Sequence, residues 1–204
     1  DLITLALDAE KSWNLEVGAR LYVAGAVSLQ VTAFYLDFSN QIVEPSLSAG
    51  SVAQAQLANQ GATRHRGVET AAGVDWGVLV GWPFSLNTEL KHTYADARFS
   101  RDRFLRHPSG DTVNIRGNRL PYAPEQRWVL SGTLALPAGL TLKVDGVRVG
   151  EQFADNFETR DPSSNGRNGL IPSYLVWNAA ASYHILGTSL TSVVTIKNAF
   201  DERY

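Results

Sequence analysis

The residues with the clearest chemical potential form an arginine-rich stretch near the middle of the chain. Positions 98–119 hold six arginines and one histidine against only two aspartates. Guanidinium groups make paired hydrogen bonds to carboxylates and phosphates, so the stretch predicts an anion-binding site. Its candidate ligand-binding residues are Arg98, Arg101, Arg103, Arg106 and Arg116. The plainer alternative is that these arginines only solvate a loop.

The rest of the sequence has no pattern typical of an enzyme. The four histidines are scattered without the spacing of a metal site, and the sequence contains no cysteine. A nucleophile elbow, a phosphate-binding loop and a zinc-protease motif are all missing. Acidic pairs such as Asp155 and Glu158 lie in a Gly-, Asn- and Ser-rich stretch, where solvation explains them. We therefore expect a protein that is not an enzyme and that uses no metal or other cofactor.

Composition narrows the class of protein further. The chain has 204 residues, a formal net charge of −2 and 44% hydrophobic residues. The absence of cysteine excludes a disulfide scaffold, and the balanced charge argues against a whole-chain nucleic-acid binder. The longest stretch without Asp, Glu, Lys or Arg, 168–196, is too polar for a membrane-spanning helix. The chain also lacks methionine, even at its first position, so we expect a piece of a longer protein.

Apolar residues recur instead at every second position, which is the period of a half-buried β-strand. Within 173–185, Leu175 and Trp177 belong to the apolar set, whereas Asn178 and Ser182 belong to the more polar set. The same alternation predicts about eight strands, near residues 13–22, 27–38, 64–76, 84–97, 125–136, 140–153, 173–184 and 189–198.

The lengths of the strands and of the links between them distinguish two kinds of all-β fold. Most predicted strands have 10 to 14 residues, enough to cross a bilayer at a tilt and longer than the usual strand of a soluble protein. Short turns (24–26, 77–83, 137–139 and 186–188) alternate strictly with long links (39–63, 98–124 and 155–172). This asymmetry favours a segment of an antiparallel transmembrane β-barrel with short periplasmic turns and long extracellular loops. A secreted β-sandwich that binds carbohydrate is the soluble alternative.

Four segments carry a specific resemblance. GATRHRGVE at 61–69 resembles the strand-entry motif of TonB-dependent outer-membrane receptors, and GNRLPYAPE at 117–125 resembles their loop-to-strand entry. IKNAFDERY at 196–204 is similar to the segment found close to the C-terminus of these receptors. QFADN at 152–156, followed by GLIPSYLVW at 169–177, resembles the ferric-dicitrate and siderophore receptor group within the family.

The resemblance implies a protein of the bacterial outer membrane that takes up a ferric chelate, either ferric citrate or another siderophore. Residues 1–204 would form part of the β-barrel domain, without the plug domain, the TonB box or the final closing strand. The implied partners are the ferric chelate, outer-membrane lipid and lipopolysaccharide, and the TonB complex through the missing plug domain. No nucleic acid is implied. A passive outer-membrane porin or an adhesin barrel is the alternative function.

Within this framework the arginine-rich stretch acquires a specific ligand. Loops of such receptors capture the anionic iron complex, so we expect the arginines to form a cationic lip. Gln54 and Gln56, in the Gln- and Asn-rich link 39–63, are expected to hydrogen-bond the same ligand. The alternatives are that the arginines bind lipopolysaccharide phosphates, or that both stretches are simply solvated loops.

Overall fold

Eight long antiparallel strands form one sheet in the computed structural model, which describes residues 7–43, 58–107 and 109–204. The elements in chain order are β1 (Lys11–Val23), β2 (Val27–Val43), β3 (Ala58–Asp75), α1 (Trp76–Val80), β4 (Ser85–Phe99), β5 (Phe104–Arg106), β6 (Thr112–Asn114), β7 (Gln126–Ala135), β8 (Leu140–Val149), β9 (Gln152–Phe153), β10 (Leu170–Ile171), β11 (Tyr174–His184) and β12 (Thr191–Ile196). The main sheet has the order β1-β2-β3-β4-β7-β8-β11-β12, with β1 and β12 at its edges. The predicted β-barrel segment of about eight long strands is confirmed.

The sheet has one apolar face and one polar face. One row of paired residues crosses it as Leu21, Leu29, Ala72, Leu90, Leu130, Gly146 and Trp177. The adjacent row, on the opposite face, reads Tyr22, Ser28, Gly73, Glu89, Ser131, Asp145 and Asn178. Large side chains of the apolar face remain exposed, Val17 at 68% for example. A contiguous exposed apolar surface of this kind requires an apolar environment.

Tight connections join the strands at one end of the sheet, which we call the turn end. Between β1 and β2, Ala24 and Gly25 have φ of 53° and 67°, the positive values that a type I′ hairpin turn requires. The predicted turn 77–83 instead contains α1, which begins where the Asp75 side chain accepts from the Val78 N–H and ends at Gly81 with φ 74°. In the described residues, no helix has the length and apolar character needed to cross a membrane.

The long links leave from the opposite end, which we call the loop end. β2 continues to Val43, beyond the predicted boundary at 38. β3 already begins at Ala58, before the predicted boundary at 64. The link after β4 contains the hairpin β5–β6, and the link after β8 contains the two-residue pair β9–β10. β8 ends at Val149 rather than at 153, because the chain leaves the main sheet to form β9.

Candidate functional site

The links after β4 and β8 lie against each other at the loop end. The side-chain amide of Asn118 donates to the Asn156 carbonyl at 2.9 Å. The backbone N–H of Arg119 donates to the Glu158 carboxylate at 2.7 Å. These bonds join two segments that are far apart in sequence. We call the assembly of residues 100–107, 109–125 and 150–173 the loop cap.

A small hydrophobic cluster stabilises the loop cap. Phe99, Leu105 and Ile115 form its buried centre, and Ile115 has no exposed surface. Leu120 and Phe157 pack against this centre, so both links contribute to it. The cap is therefore a packed structure on the sheet, with its own core.

Two of the five predicted arginines lie on the side of the apolar face. Arg98 donates through Nη1 to the Gly117 carbonyl at 2.8 Å, and Arg116 Nη1 lies 3.5 Å from Asp102 Oδ1. In the register of the sheet, Arg98 pairs with Arg64. All three arginines line one cavity of about 210 Å³. Arg98 and Arg116 are thus engaged in contacts beside the apolar face.

The other three predicted arginines lie on the β5–β6 side of the loop cap. Arg101 and Arg106 are exposed, and among the described residues neither has an ion-pair partner. Arg103 is half-buried, and this burial lowers the pKa of its guanidinium group, which nevertheless stays charged at neutral pH. The structure therefore divides the arginine-rich stretch into two groups. Gln54 and Gln56 lie outside the described residues.

A larger cavity of about 540 Å³ opens on the polar face, beside the loop cap. Residues of β7, β8 and β11 form its wall, and residues of the cap and of the segment after β12 complete it. Its polar lining consists of Tyr122, Arg127, Gln152, Tyr174, Asn178, Lys197, Asn198 and Tyr204. Because β7 and β11 begin at Gln126 and Tyr174, the cavity lies at the loop end. We call it the polar-face cavity.

The polar-face cavity is cationic. The described residues that line it include Arg127 and Lys197 but no aspartate or glutamate. Neither cation forms an ion pair within the described part of the chain. The rings of Tyr174 and Tyr204 stack with their centroids 4.4 Å apart. Two cations beside phenol and amide groups favour an anionic ligand that offers several oxygen atoms.

The chemistry available in this cavity is recognition by charge and hydrogen bonding. Across residues 7–43, 58–107 and 109–204, no group of three or more His, Cys, Asp or Glu side chains is placed to hold a metal ion. Near the cavity, Asn178 donates to Asp145 at 2.8 Å and accepts from the backbone N–H of Asn198 at 3.0 Å. The first bond joins β11 to β8, and the second holds the segment after β12 against β11.

Reasoning from the sequence missed Arg127 and Lys197 as site residues. Neither belongs to a local charge cluster, and a long stretch of chain separates them. The available signal was strand parity, because Arg127 falls in the polar set of β7 and Lys197 directly follows β12. Only the sheet, with β11 pairing between β8 and β12, brings these positions to one cavity.

These features define a class of protein. An antiparallel sheet with an exposed apolar face, a polar face and alternating tight turns and long links is the wall of a transmembrane β-barrel. The profile of the family described as "TonB dependent receptor-like, beta-barrel" matches residues 3–199. The chain belongs to this family, and it is a bacterial outer-membrane protein.

Solved structures are similar over nearly the whole chain. The ferric citrate transporter FecA, in its unliganded form, is 28% identical with a TM-score of 0.74, covering 96% of this chain and 27% of FecA. The siderophore receptor PiuA from Acinetobacter baumannii is 20% identical with a TM-score of 0.69, covering 97% of this chain and 25% of PiuA. The ferric yersiniabactin uptake receptor FyuA from Yersinia pestis is 21% identical with a TM-score of 0.64, covering 96% of this chain and 26% of FyuA. The likeness to PiuA and FyuA shows the fold alone, and this chain spans about a quarter of each of the three proteins.

Membership of the family gives the sheet an orientation. In outer-membrane barrels the apolar face contacts lipid, the polar face lines the lumen, short turns are periplasmic and long loops are extracellular. The polar-face cavity therefore faces the lumen near the extracellular side. The cavity that contains Arg64, Arg98 and Arg116 lies on the outside of the wall, also at the loop end.

Proposed function

We propose that the chain forms part of the wall and extracellular loops of an outer-membrane active transporter for a ferric chelate. TonB supplies the energy, through a plug domain that lies outside these 204 residues. The observation that carries the proposal is the polar-face cavity, where Arg127 and Lys197 face the lumen without an acidic partner among the described residues. A lumen-facing cationic cavity near the extracellular side suits an anionic ligand that enters from outside.

Ferric citrate is the chelate that these features favour. It is an anion with many carboxylate oxygens, and guanidinium and ammonium groups bind such oxygens through charge-assisted hydrogen bonds. The 28% identity to FecA, whose name is that of a ferric citrate transporter, supports the same ligand. Other anionic siderophores share the chemistry and serve as the competing ligands in the test.

Binding proceeds in two steps in this proposal. Arg101 and Arg106, exposed on the loop cap, attract the anion first, with Arg103 beside them. The polar-face cavity then holds the chelate. Gln54 and Gln56, from the link between β2 and β3, remain predicted hydrogen-bonding residues for the same ligand. The surrounding lipid and lipopolysaccharide contact the opposite, apolar face.

Radiolabelled uptake in cells tests the proposal. The full-length receptor is expressed in a strain that lacks its own ferric citrate uptake. The iron label is supplied as ferric citrate, as another anionic ferric siderophore or as a neutral ferric hydroxamate. We expect accumulation of ferric citrate that stops when TonB is deleted or a protonophore is added. Uptake of ferric citrate that is indifferent to both treatments would indicate a passive pore and contradict the proposal.

The capture step has its own test, using two double variants in the loop cap. Arg101→Ala/Arg106→Ala removes two exposed charges beside the hairpin, whereas Arg160→Ala/Arg167→Ala removes two exposed charges from the other link. We expect the first variant to slow association with ferric citrate several-fold, more strongly at low salt, because screening weakens steering between exposed charges. Equal association rates for the two variants would show that Arg101 and Arg106 do not capture the chelate.

A further inference from the structure

The lipid-facing side of the wall changes from apolar to charged just below its extracellular edge. Toward the loop end, the last three paired rows of β3 and β4 on this face are Val68–Tyr94, Arg66–Asp96 and Arg64–Arg98. Residues two positions apart in a strand share a face, so the arginines lie on the same side as Val68 and Tyr94. The apolar face therefore ends in an arginine-rich band that points away from the lumen.

The height of this band matches the headgroup layer of the outer leaflet. Val74 belongs to the first outward-facing row of the β3–β4 pair at the turn end, where it pairs with Thr88. At about 3.4 Å per residue and a strand tilt of about 40°, Arg66 lies about 21 Å above that row and Arg64 about 26 Å above it. The apolar band of an outer-membrane barrel is about 25 Å tall. Arg64 and Arg66 are thus placed where acyl chains give way to headgroups.

The positive groups of the band face outward, and the central carboxylate lies beneath them. Asp96 is only 6% exposed. Arg66 reaches its Oδ2 atom with Nε at 3.1 Å and Nη2 at 2.9 Å, and Arg98 contacts its Oδ1 atom. The side chain of Arg66 is nevertheless 63% exposed. Asp96 therefore positions two guanidinium groups without covering them.

These arginines surround a cavity of about 210 Å³ that is large enough for a phosphate group. Among the described residues that line it, Asp96 is the only carboxylate, against Arg64, Arg66, Arg98 and Arg116.

Apart from the contacts with Asp96, the ion pairs of the cavity arginines are long. Arg98 lies 3.5 Å from Glu125, whose side chain is partly exposed. Arg64 lies 3.5 Å from Asp37, and Arg116 lies 3.5 Å from Asp102, with all four side chains at least a third exposed. Exposed pairs of this kind contribute little, so a phosphate can replace them.

We propose that this cavity binds a phosphate group of an outer-leaflet lipid, namely the glucosamine-linked phosphate of the lipid A part of lipopolysaccharide. Guanidinium forks match the tetrahedral phosphate oxygens. The surface below the cavity, with Val68, Leu90 and Tyr94 exposed, offers apolar contact to the acyl chains of the same molecule. The site is distinct from the polar-face cavity and lies on the other side of the wall.

The test measures the lipid A that stays bound to the full-length receptor during purification in detergent. The variant Arg64→Gln/Arg66→Gln removes two guanidinium groups from the cavity. Its matched control is Arg127→Gln/Lys197→Gln, which removes two positive charges at the same end of the barrel but on the lumen side. We expect the first variant to retain about tenfold less lipid A than the wild type, and the control to retain the wild-type amount.

Added ligands then identify the group that is recognised. Re-binding of bis-phosphorylated lipid A should restore native mass-spectrometric adducts on the wild type, whereas dephosphorylated lipid A and inorganic phosphate should not. Equal retention by Arg64→Gln/Arg66→Gln and the wild type, or equal binding of dephosphorylated lipid A, would overturn the proposal.

A second variant and a second readout keep the test valid. If the double variant does not show the heat-modifiable gel migration of a folded barrel, Arg64→Gln alone replaces it, because Arg64 does not contact the buried Asp96. Ferric citrate binding is measured on every sample. Loss of lipid A with normal chelate binding supports the lipid site. Normal lipid A retention with normal chelate binding contradicts it while leaving the transport proposal intact.

Discussion

Replacing Ile115 by alanine should loosen the loop cap without disturbing the barrel wall. Ile115 has no exposed surface and packs with Phe99 and Leu105. Truncation of a fully buried isoleucine costs about 2–5 kcal/mol. The cluster contains only three buried side chains and can collapse around the gap, so we expect the lower value, about 2 kcal/mol. This corresponds to a rise of about 30-fold in the local opening equilibrium of the cap.

Hydrogen exchange of the full-length receptor in detergent measures this change directly. The informative amides are those of Ile115, Gly117 and Asn118, which donate to the carbonyls of Arg103, Phe99 and Ile115 at 2.9–3.0 Å. Their exchange should accelerate about 30-fold, while peptides from β8 (Leu140–Val149) should keep the wild-type rate.

The control for this prediction is Phe104→Ala, in β5 of the same link. Phe104 is 63% exposed, so its removal should change the opening free energy by no more than about 0.5 kcal/mol. Unchanged protection in Ile115→Ala, or equal acceleration in both variants, would refute the view that this cluster holds the cap.

Two further predictions concern the faces of the wall and the pH dependence of the cap. Leu130→Arg places a charge in lipid and should destabilise the barrel by about 2–4 kcal/mol. Ser131→Arg faces the lumen, where its neighbours in the register are acidic, and should destabilise the barrel much less. Urea unfolding of the refolded receptor compares the two variants, and equal destabilisation would contradict the face assignment. The hydrogen bond from Asn114 and the charge of Arg116 hold the pKa of Asp102 below its usual value. The Asp102 carboxylate therefore stabilises the cap fully above about pH 4. This stabilisation is lost as the pH falls through the lowered pKa of Asp102. Exchange in Asp102→Asn should exceed the wild-type rate at pH 7 and match it at the lowest pH, and a difference that persists there would show that the carboxylate charge is not the cause.

The strands were predictable because the main sheet separates lipid from water. Each long strand has one apolar set and one polar set, and the observed register joins these sets into rows such as Leu90–Leu130 and Glu89–Ser131. A one-residue slip would exchange the two faces, so the alternation alone determines which residues face lipid. The link lengths then identified the turn end and the loop end.

The loop cap, and the helix α1 at the turn end, were not predictable from the same pattern. The helix α1 and the short strands β5, β6, β9 and β10 depend on single contacts, such as the Asp75 cap and the burial of Ile115. These contacts join residues that have no periodic signal in the sequence. For this reason the links were expected as simple loops, whereas they form a packed structure.

None of the five arginines predicted as ligand-binding residues lines the polar-face cavity, for a similar physical reason. A run of arginines is visible in one dimension, but the direction of each side chain depends on its strand. Arg98 belongs to the row that contains Arg64 and so lies outside the wall. Arg127 and Lys197 converge only because β11 pairs between β8 and β12. The sequence therefore indicated an anion-binding protein, and the sheet shows which cations face the lumen.

The most direct test of the transport account is the equilibrium affinity of the full-length receptor for ferric citrate. Arg127→Gln/Lys197→Gln removes the two cations of the polar-face cavity. Charge-assisted hydrogen bonds are worth about 1.5–3 kcal/mol each, so their joint loss should weaken binding about 100-fold or more. Arg64→Gln/Arg66→Gln, on the outer face, should bind ferric citrate with wild-type affinity. Wild-type affinity in the Arg127→Gln/Lys197→Gln variant would contradict the account, because the chelate would then bind somewhere other than the polar-face cavity.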